Sequence, residues 1–388
     1  MLNIKVERLE NLNGEYLSKQ KLKDLMKKLQ KGEEIVVNEG VDFDKEEVFD
    51  FLLAARDFVL EAKIKTNNIK FLKIANSVIR EVENREKRVL VIDNHNFFHR
   101  TFHAVPDLVN ENGEHVAVLK SVINIIKYII NTQDRYTHII FSSEGGNLKR
   151  KQETEGEDKK YKANRKEVDY VLLESIKLTE AVLEELGFTV LRRYQYEADD
   201  ILASIAHNSY KNGYSVTAFT TDKDAYQLFK YPGFEILDPK TKEIFGRQKC
   251  VEKFGVETED FIDYQAIVGD TADNIPGVKG FGAVVAKELI TKYHNLEAIY
   301  ENLESLWIED IDENLTPAKR RAKIATAQKK QQKLIESKDL AFKSRNLCRL
   351  ETNLFEKYPI DITYFSPTPY KNMEKIFASR LKKYGIVY

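Results

Sequence analysis

Four short segments of the sequence concentrate acidic residues: Asp93 at the end of VLVID, Glu197, Asp199 and Asp200 in YEADD, Asp222 and Asp224 in TTDKD, and Asp270 and Asp273 in GDTADN. Any one of these acids reads equally well as a helix cap or a solvated charge. Brought together, eight carboxylates would repel one another, which raises their pKa values or opens the site unless divalent cations neutralise them. Hard oxygen ligands without His or Cys partners select magnesium or manganese over zinc. Two ions held by carboxylates are the standard apparatus of in-line phosphodiester hydrolysis, one activating water and the other stabilising the leaving oxygen. A phosphatase needs the same ions, so the substrate must be read from what surrounds them.

The elements that would position these acids alternate. VLVID at 89–93 is a continuous apolar run ending in an acid, 116–131 has helical periodicity, and THIIF at 137–141 reads as a second buried strand. LGFTVL, YSVTAFTTD and FEILD read as further strands, separated by helices at about 167–186, 198–212 and 223–230. Such alternation predicts an α/β fold, a mostly parallel sheet flanked by helices, with its ligand site at the carboxyl ends of the strands. Asp93, Asp222 and Asp224 fall at such ends. Three regions are expected: an N-terminal mainly helical extension over 1–87, an α/β core over 88–255, and a helical region over 256–388. In the extension, Leu22, Leu25, Met26 and Leu29 recur at helical spacing, and IVV at 35–37 reads as the one short strand. Asp44 and Glu47 have the form of a capping box before a helix through FDFLLAARDFVLEA, and a further helix is expected near 69–86.

At 388 residues the chain is long enough for two or three domains of roughly 150 residues each. With 42% hydrophobic and 32% charged residues and only 8 Pro, it has the composition of a folded, helix-rich protein rather than a disordered or fibrous one. Cys250 and Cys348 are the only cysteines, which excludes a disulfide scaffold and a four-cysteine zinc site and fits a reducing cytoplasm. No signal peptide is evident, and the most apolar stretch, VINIIKYII, is too short to span a membrane. The net charge of −1 conceals an asymmetry: from Thr316 onward 17 Lys and Arg face 6 Asp and Glu, an end fitted to a polyanion.

Two further features point to DNA. GVKGFG, preceded by NIP and followed by AVVAKELITKY, reads as a glycine hairpin between helices, whose exposed backbone N–H groups admit a phosphate backbone closely. The stretch from Leu148 to Lys166 holds eight basic residues and Tyr161, and could form a basic arch above the acids. Its plainer reading is a solvated charged helix.

VLVIDNHNFFHRTFHA, YKANR, YEADDILASIA, TTDKDAYQL and GDTADNIPGVKGFG, in this order, resemble the successive motifs of the 5′ nuclease family, which comprises the N-terminal 5′ nuclease domains of bacterial DNA polymerase I and the phage and cellular flap endonucleases. ESKDLAFKSRNLCRLETNL resembles the continuation of the polymerase-attached versions, which carries the likeness towards the C-terminus. The resemblance implies a PIN/FEN-like nuclease core followed by a helical, helix-hairpin-helix-type DNA-binding region. It also implies a 5′-3′ exonuclease and 5′-flap endonuclease acting on DNA with 5′ flaps, nicks or single-stranded 5′ ends, with RNA–DNA hybrids at primers as a further substrate. The setting it implies is the cytoplasm of a bacterium or a phage-infected host, in replication or repair. Carried over by motif, Asp93, Glu197, Asp199 and Asp200 hold a first magnesium or manganese ion, and Asp222, Asp224, Asp270 and Asp273 a second. Lys162 and Arg165 match the basic pair of the arch at the scissile phosphate, with Arg100 and Tyr161 as further phosphate or base contacts. Gly277, Lys279, Gly280 and Gly282 match the hairpin that grips the duplex backbone, in the family often with a potassium ion. The chain is too short to hold a polymerase as well, so a stand-alone nuclease is expected, with residues 1–87 available for a replication partner.

Three departures qualify the likeness. The strand THIIF is followed by Ser142 where the family carries a metal-binding Asp, and Glu144 is the candidate to compensate. At the arch base LKRK stands in place of FRxE, with Lys149 at the position of the Arg. After the glycine hairpin, Val284 and Val285 replace the usual Lys and Thr. Two rival readings follow: a branched-DNA-binding protein with a weakened nuclease site, supported by Ser142 alone, and a zinc hydrolase built on His95, His99 and His103, supported by their four-residue spacing.

Overall fold

The computed structural model describes residues 4–8, 35–37, 62–66, 73, 88–132, 136–156, 160–165, 168–355 and 373–386. The chain divides into two units, Met1–Arg88 with Arg135–Thr137, and Val89–Asp134 with His138–Tyr388.

In the first unit, β1 (Ile4–Arg8), β2 (Ile35–Val37) and β3 (Ala62–Thr66) form a parallel sheet in the order β1-β3-β2, with Ile4 opposite Ala62 and Ile35 opposite Ile64. Among the described residues this segment thus carries three strands where one short strand was expected. IKVER and AKIKT alternate apolar with charged residues, a strand signal that their lysines obscure. The helices expected at 22–29, 44–62 and 69–86 lie outside the described residues apart from Lys73 and Ala62, and Ala62 opens β3 instead of closing a helix.

The second unit is built on β4 (Arg88–Asp93), whose Val89, Leu90, Val91 and Ile92 are wholly buried, as befits a central strand covered on both faces. It is followed by α1 (Asn94–Ala104), α2 (Ala117–Thr132), β5 (His138–Ser143), α3 (Lys149–Glu153), α4 (Tyr170–Glu185), β6 (Thr189–Arg192), α5 (Ala198–Lys211) and β7 (Ser215–Phe219). The expected helix at 223–230 is a tight 3-10 helix, Lys223–Lys230, which leads to β8 (Phe234–Leu237) and β9 (Ile244–Phe245). The sheet order is β6-β5-β4-β7-β8-β9. The pairs β4–β5, β5–β6 and β7–β8 are parallel, and β9 runs antiparallel to β8. The chain steps outward from β4 through β5 to β6, then returns to the other side for β7 to β9. Between β4 and β7 lies the switch point, the crevice in which open α/β sheets place their ligands.

The helical part comprises α6 (Gln248–Phe254), α7 (Phe261–Val268), α8 (Ala283–Tyr293), α9 (Leu296–Glu301), α10 (Pro317–Glu336), α11 (Lys338–Cys348) and α12 (Met373–Leu381). One buried cluster runs without a break from Val89 and Val91 of the sheet, through Ile201 and Ile205 of α5, to Phe261, Ile267, Ala286, Leu334 and Ala341. Acids on the α/β core and on the loop after α7 are therefore held by the same packed interior.

Candidate active site

Asp93 closes β4 and caps α1, accepting from the Asn96 N–H at 3.0 Å and from the Thr220 hydroxyl, just beyond β7, at 2.9 Å. These bonds span the switch point. Asp222 caps the 3-10 helix by accepting from the Asp224 N–H at 2.9 Å, and Asp199 lies in the first turn of α5. Asp93, Asp199 and Asp222 line one cavity of about 570 Å³ together with His95, Asn96, Arg100, Lys162 and Arg165. Burial pushes the Asp93 carboxyl up to about 6, with the Asp222 charge adding to it. Burial, then the charges of Asp93 and Asp222, holds Asp199 well above the ordinary carboxylate range.

A second group forms beside it. Ligand oxygens of Asp224, Asp270 and Asp273 all lie within 4.8 Å of one another, the one such group of three among the described residues. Burial, followed by the charges of Asp222, Asp273 and Asp270, raises Asp224 to about 8, although Gln265 of α7 donates to it at 2.6 Å. Lys223 Nζ is 3.1 Å from Asp270 Oδ2. Buried carboxylates that raise one another's pKa in this way, offering only oxygen donors, fit a hard divalent cation. The row His95, His99 and His103 forms no comparable group. Burial, reinforced by the Lys162 and Arg165 charges, holds His95 near 4, and burial lowers His99 equally.

Cations of the arch segment reach onto the acids. Lys162 Nζ donates to Glu197 Oε1 and lies 3.6 Å from Asp273 Oδ2, while Arg165 Nη2 donates to Asp273 Oδ1. Tyr161 is buried, not displayed to a base: its hydroxyl donates to Glu197 at 2.8 Å and lies 3.3 Å from Asp273 Oδ2. Burial opposes ionisation of Glu197, yet the Lys162 and Arg150 charges prevail and hold its carboxyl below the usual range.

Asp200 lies beside Glu197, sharing Arg150 Nη1 with it, and lines neither the Asp93 cavity nor the Asp224 group. It is wholly buried and paired with Arg150 through two hydrogen bonds of 2.6 and 2.7 Å. Arg150, not Lys149, is thus the inward-facing base of α3; Lys149 makes a surface pair with Glu153 at 3.6 Å. Ser142 lies opposite Asp93 in the β4–β5 register, wholly buried, its hydroxyl donating to Ile92 O at 3.3 Å. Glu144 turns to His95, 3.3 Å away, and lines a neighbouring cavity of about 580 Å³ with His99, His103 and Lys151. Arg100 lines the Asp93 cavity, and its buried Nη1 has no hydrogen-bond partner among the described residues.

The glycine hairpin links α7 to α8. A Cβ on Gly277 would lie 2.5 Å from Ile267 O and Val268 O, so only glycine lets the hairpin close on α7. Gly280 takes a φ of +83°, and Lys333 of the basic α10 reaches to its side. Lys279 and Gly280 are exposed, Gly282 caps α8, and Val284 is 82% exposed.

Sequence reasoning missed Arg150, Gln265 and Lys223. It also missed Glu180, a buried carboxylate that accepts from Asn94 and Ser143 and pairs with Arg192 at 2.9 Å behind the site. A glutamine inside the apolar helix FIDYQAIV was the available signal for Gln265.

Fold and site together define a class: a doubly wound α/β domain with an acid cluster fit for divalent cations at its switch point, joined to a helical domain with a glycine hairpin. Residues 88–255 match the family model of the 5′-3′ exonuclease N-terminal resolvase-like domain, and residues 256–372 that of the 5′-3′ exonuclease C-terminal SAM fold. A 5′-3′ exonuclease of Aquifex aeolicus is 30% identical over 219 residues, which cover 56% of this chain and 74% of the relative. DNA polymerase I of Helicobacter pylori is 31% identical over 306 residues, covering 78% of this chain and 31% of the relative. Thermostable DNA polymerase I of Thermus aquaticus is 33% identical over 219 residues, covering 56% of this chain and 26% of the relative. The chain thus spans between a quarter and a third of these polymerases. A structure of T5 5′-exonuclease with bound divalent metal ions superimposes with a TM-score of 0.54 at 21% identity, covering 76% of this chain and 98% of that one, which is a likeness of fold. The chain belongs to the 5′-3′ exonuclease family.

Proposed function

We propose that this chain hydrolyses DNA phosphodiester bonds as a magnesium- or manganese-dependent 5′-3′ exonuclease and 5′-flap endonuclease. The observation that carries the reading is the convergence of Asp93, Asp199 and Asp222 on one cavity, with Asp224, Asp270 and Asp273 beside it and the arch cations Lys162 and Arg165 reaching over them. A T5 flap endonuclease has been crystallised with DNA and metal ions, and the same substrate class is proposed here. Asp93, Glu197 and Asp199 would hold one ion, with Asp222 moved to them from the second set expected from the sequence and Asp200 left out, and Asp224, Asp270 and Asp273 would hold the other. Bound there, the ions supply an activated water and neutralise charge at the scissile phosphate.

The remaining work falls to the chain's own groups. With the carboxylates otherwise neutralised, Lys162 and Arg165 are released to grip the scissile phosphate, and Arg100 adds an unspent guanidinium donor on the same wall. His95 and His99, neutral at physiological pH, offer N–H donors without adding charge. Lys279, the exposed backbone around Gly280 and the basic face of α10 hold the duplex, with a potassium ion at the hairpin. RNA-primer removal from RNA–DNA hybrids, a cytoplasmic setting and a replication partner on residues 1–87 belong to the same proposal. The buried Ser142 hydroxyl favours one alternative, a branched-DNA-binding protein that cuts weakly. Incubating the full chain with a 5′-flap duplex, with magnesium and with chelator, separates the two.

A further inference from the structure

We infer that Asp200 and Arg150 are positioning residues, a clamp that fixes Glu197 and ties the arch base to the segment 349–351, and that Asp200 is not a cation ligand. The inference deepens the nuclease reading and rests on it.

A carboxylate offers about four lone-pair sites. Those of Asp200 are filled by four N–H donors: Arg150 Nη1 at 2.6 Å and the Glu197 N–H at 3.2 Å on Oδ2, and Arg150 Nη2 at 2.7 Å and the Glu351 N–H at 2.9 Å on Oδ1. No acceptor site is left for a cation. Successive residues on a helix point about 100° apart, so Asp199 can face the switch point only if Asp200 faces elsewhere. Asp200 accordingly faces α3 and the segment after α11.

Arg150 joins three parts of the molecule. Besides Asp200, its Nη1 donates to Glu197 Oε2 at 3.0 Å and its Nη2 to Arg349 O at 2.7 Å. Glu197 has its other oxygen on Lys162, so Arg150 sets which face of that carboxylate is presented to the acid cluster. The far anchor is itself fixed. Gln227 accepts from the Leu350 N–H at 3.0 Å and donates to Cys348 O at 3.2 Å, and Ser204 of α5 donates to Glu351 O at 2.9 Å. Docking of the helical part on the α/β core thereby fixes the orientation of a carboxylate assigned to the first cation. A lysine at 150 keeps one charge but cannot span a bidentate carboxylate, Glu197 and a carbonyl at once.

The test uses the full chain with Asp200→Asn, Arg150→Lys and, as a control, Asp199→Asn. Manganese stoichiometry is measured by titration calorimetry and EPR without DNA. Single-turnover flap cleavage in magnesium is measured beside flap affinity in calcium. Asp200→Asn is expected to bind as many manganese ions as the wild type, while Asp199→Asn binds one fewer. Asp200→Asn and Arg150→Lys should each slow cleavage by roughly 10–100-fold with flap affinity unchanged, and the double variant should be no slower than the worse single one. Loss of one manganese ion from Asp200→Asn would make it a ligand and overturn the clamp. So would an Arg150→Lys protein that cleaves at the wild-type rate. Should Arg150→Lys fail to fold, the manganese count of Asp200→Asn decides alone. A wild-type chain that binds manganese yet never cuts a flap contradicts the nuclease reading instead.

Discussion

Lys162 and Asp273 meet twice: the Lys162 N–H donates to Asp273 O at 2.9 Å, and Lys162 Nζ lies 3.6 Å from Asp273 Oδ2. The backbone contact docks the arch segment on the loop after α7, with Lys162 in the left-handed region at a φ of 54°. The side chain lies between Glu197 and Asp273 as their counter-ion.

Lys162 and Glu197 are both buried, so removing the cation leaves Glu197 Oε1 without its counter-ion while Arg150 and Tyr161 still serve Oε2, a loss of about 1–3 kcal/mol. Lys162→Met should therefore lower the unfolding temperature in chelator, and saturating magnesium should recover much of the loss. Thermal denaturation of both proteins with and without magnesium checks this; an equal loss in both conditions would mean that Lys162 is not exchanging places with a bound cation.

Arg165 is 40% exposed and can leave Asp273 for a phosphate more easily. Arg165→Ala should reduce the slope of log flap affinity against log salt by about one. Binding isotherms in calcium across a salt series give the slope, and an unchanged slope places this guanidinium off the DNA.

The raised acids give a pH dependence with a definite sign. A carboxyl whose folded pKa exceeds its unfolded value binds the proton more tightly when folded, so its contribution to stability falls as pH rises between the two. Asp93, raised to about 6, and Asp224, raised to about 8, put that fall between about pH 4 and pH 8 in the metal-free protein. Glu197 runs oppositely, its stabilising effect being lost only as pH drops below the ordinary carboxylate range. Magnesium should remove the decline, so the gain in unfolding temperature on adding it should grow from pH 5 to pH 8. A gain independent of pH would contradict cation binding by these acids.

Ser142 sits opposite Asp93, whereas Glu144 is drawn off to His95. Ser142→Asp should lower the magnesium concentration for half-maximal cleavage and, by adding a buried charge, lower the metal-free unfolding temperature. Glu144→Gln should leave the magnesium requirement unchanged. A raised requirement in Glu144→Gln would return that residue to the cation site.

What the sequence disclosed follows from where its signals are local. A continuous apolar run ending in Asp93 declares a buried strand and its chemically useful end together, and β7 with Asp222 repeats the pattern. The strand order was not legible beyond its class, because periodicity reports burial and not neighbours. Arg150 was hidden in a basic run where every residue reads as a solvated face, and its partners Arg349 O and the Glu351 N–H are backbone atoms that no side-chain pattern marks. Asp200 shares the motif of Asp199 and Glu197, yet the helix turns it to another neighbour.

If this acid cluster cuts DNA through bound divalent cations, cleavage must need both the cations and the carboxylates that hold them. Single-turnover cleavage of a 5′-labelled flap duplex by the full chain, in magnesium, in excess chelator and with Asp222→Asn, tests that requirement most directly. Cuts near the junction are expected in magnesium and none in chelator, and Asp222→Asn should still bind the flap but leave it whole. Cleavage that persists in excess chelator, or that Asp222→Asn carries out undiminished, contradicts the requirement.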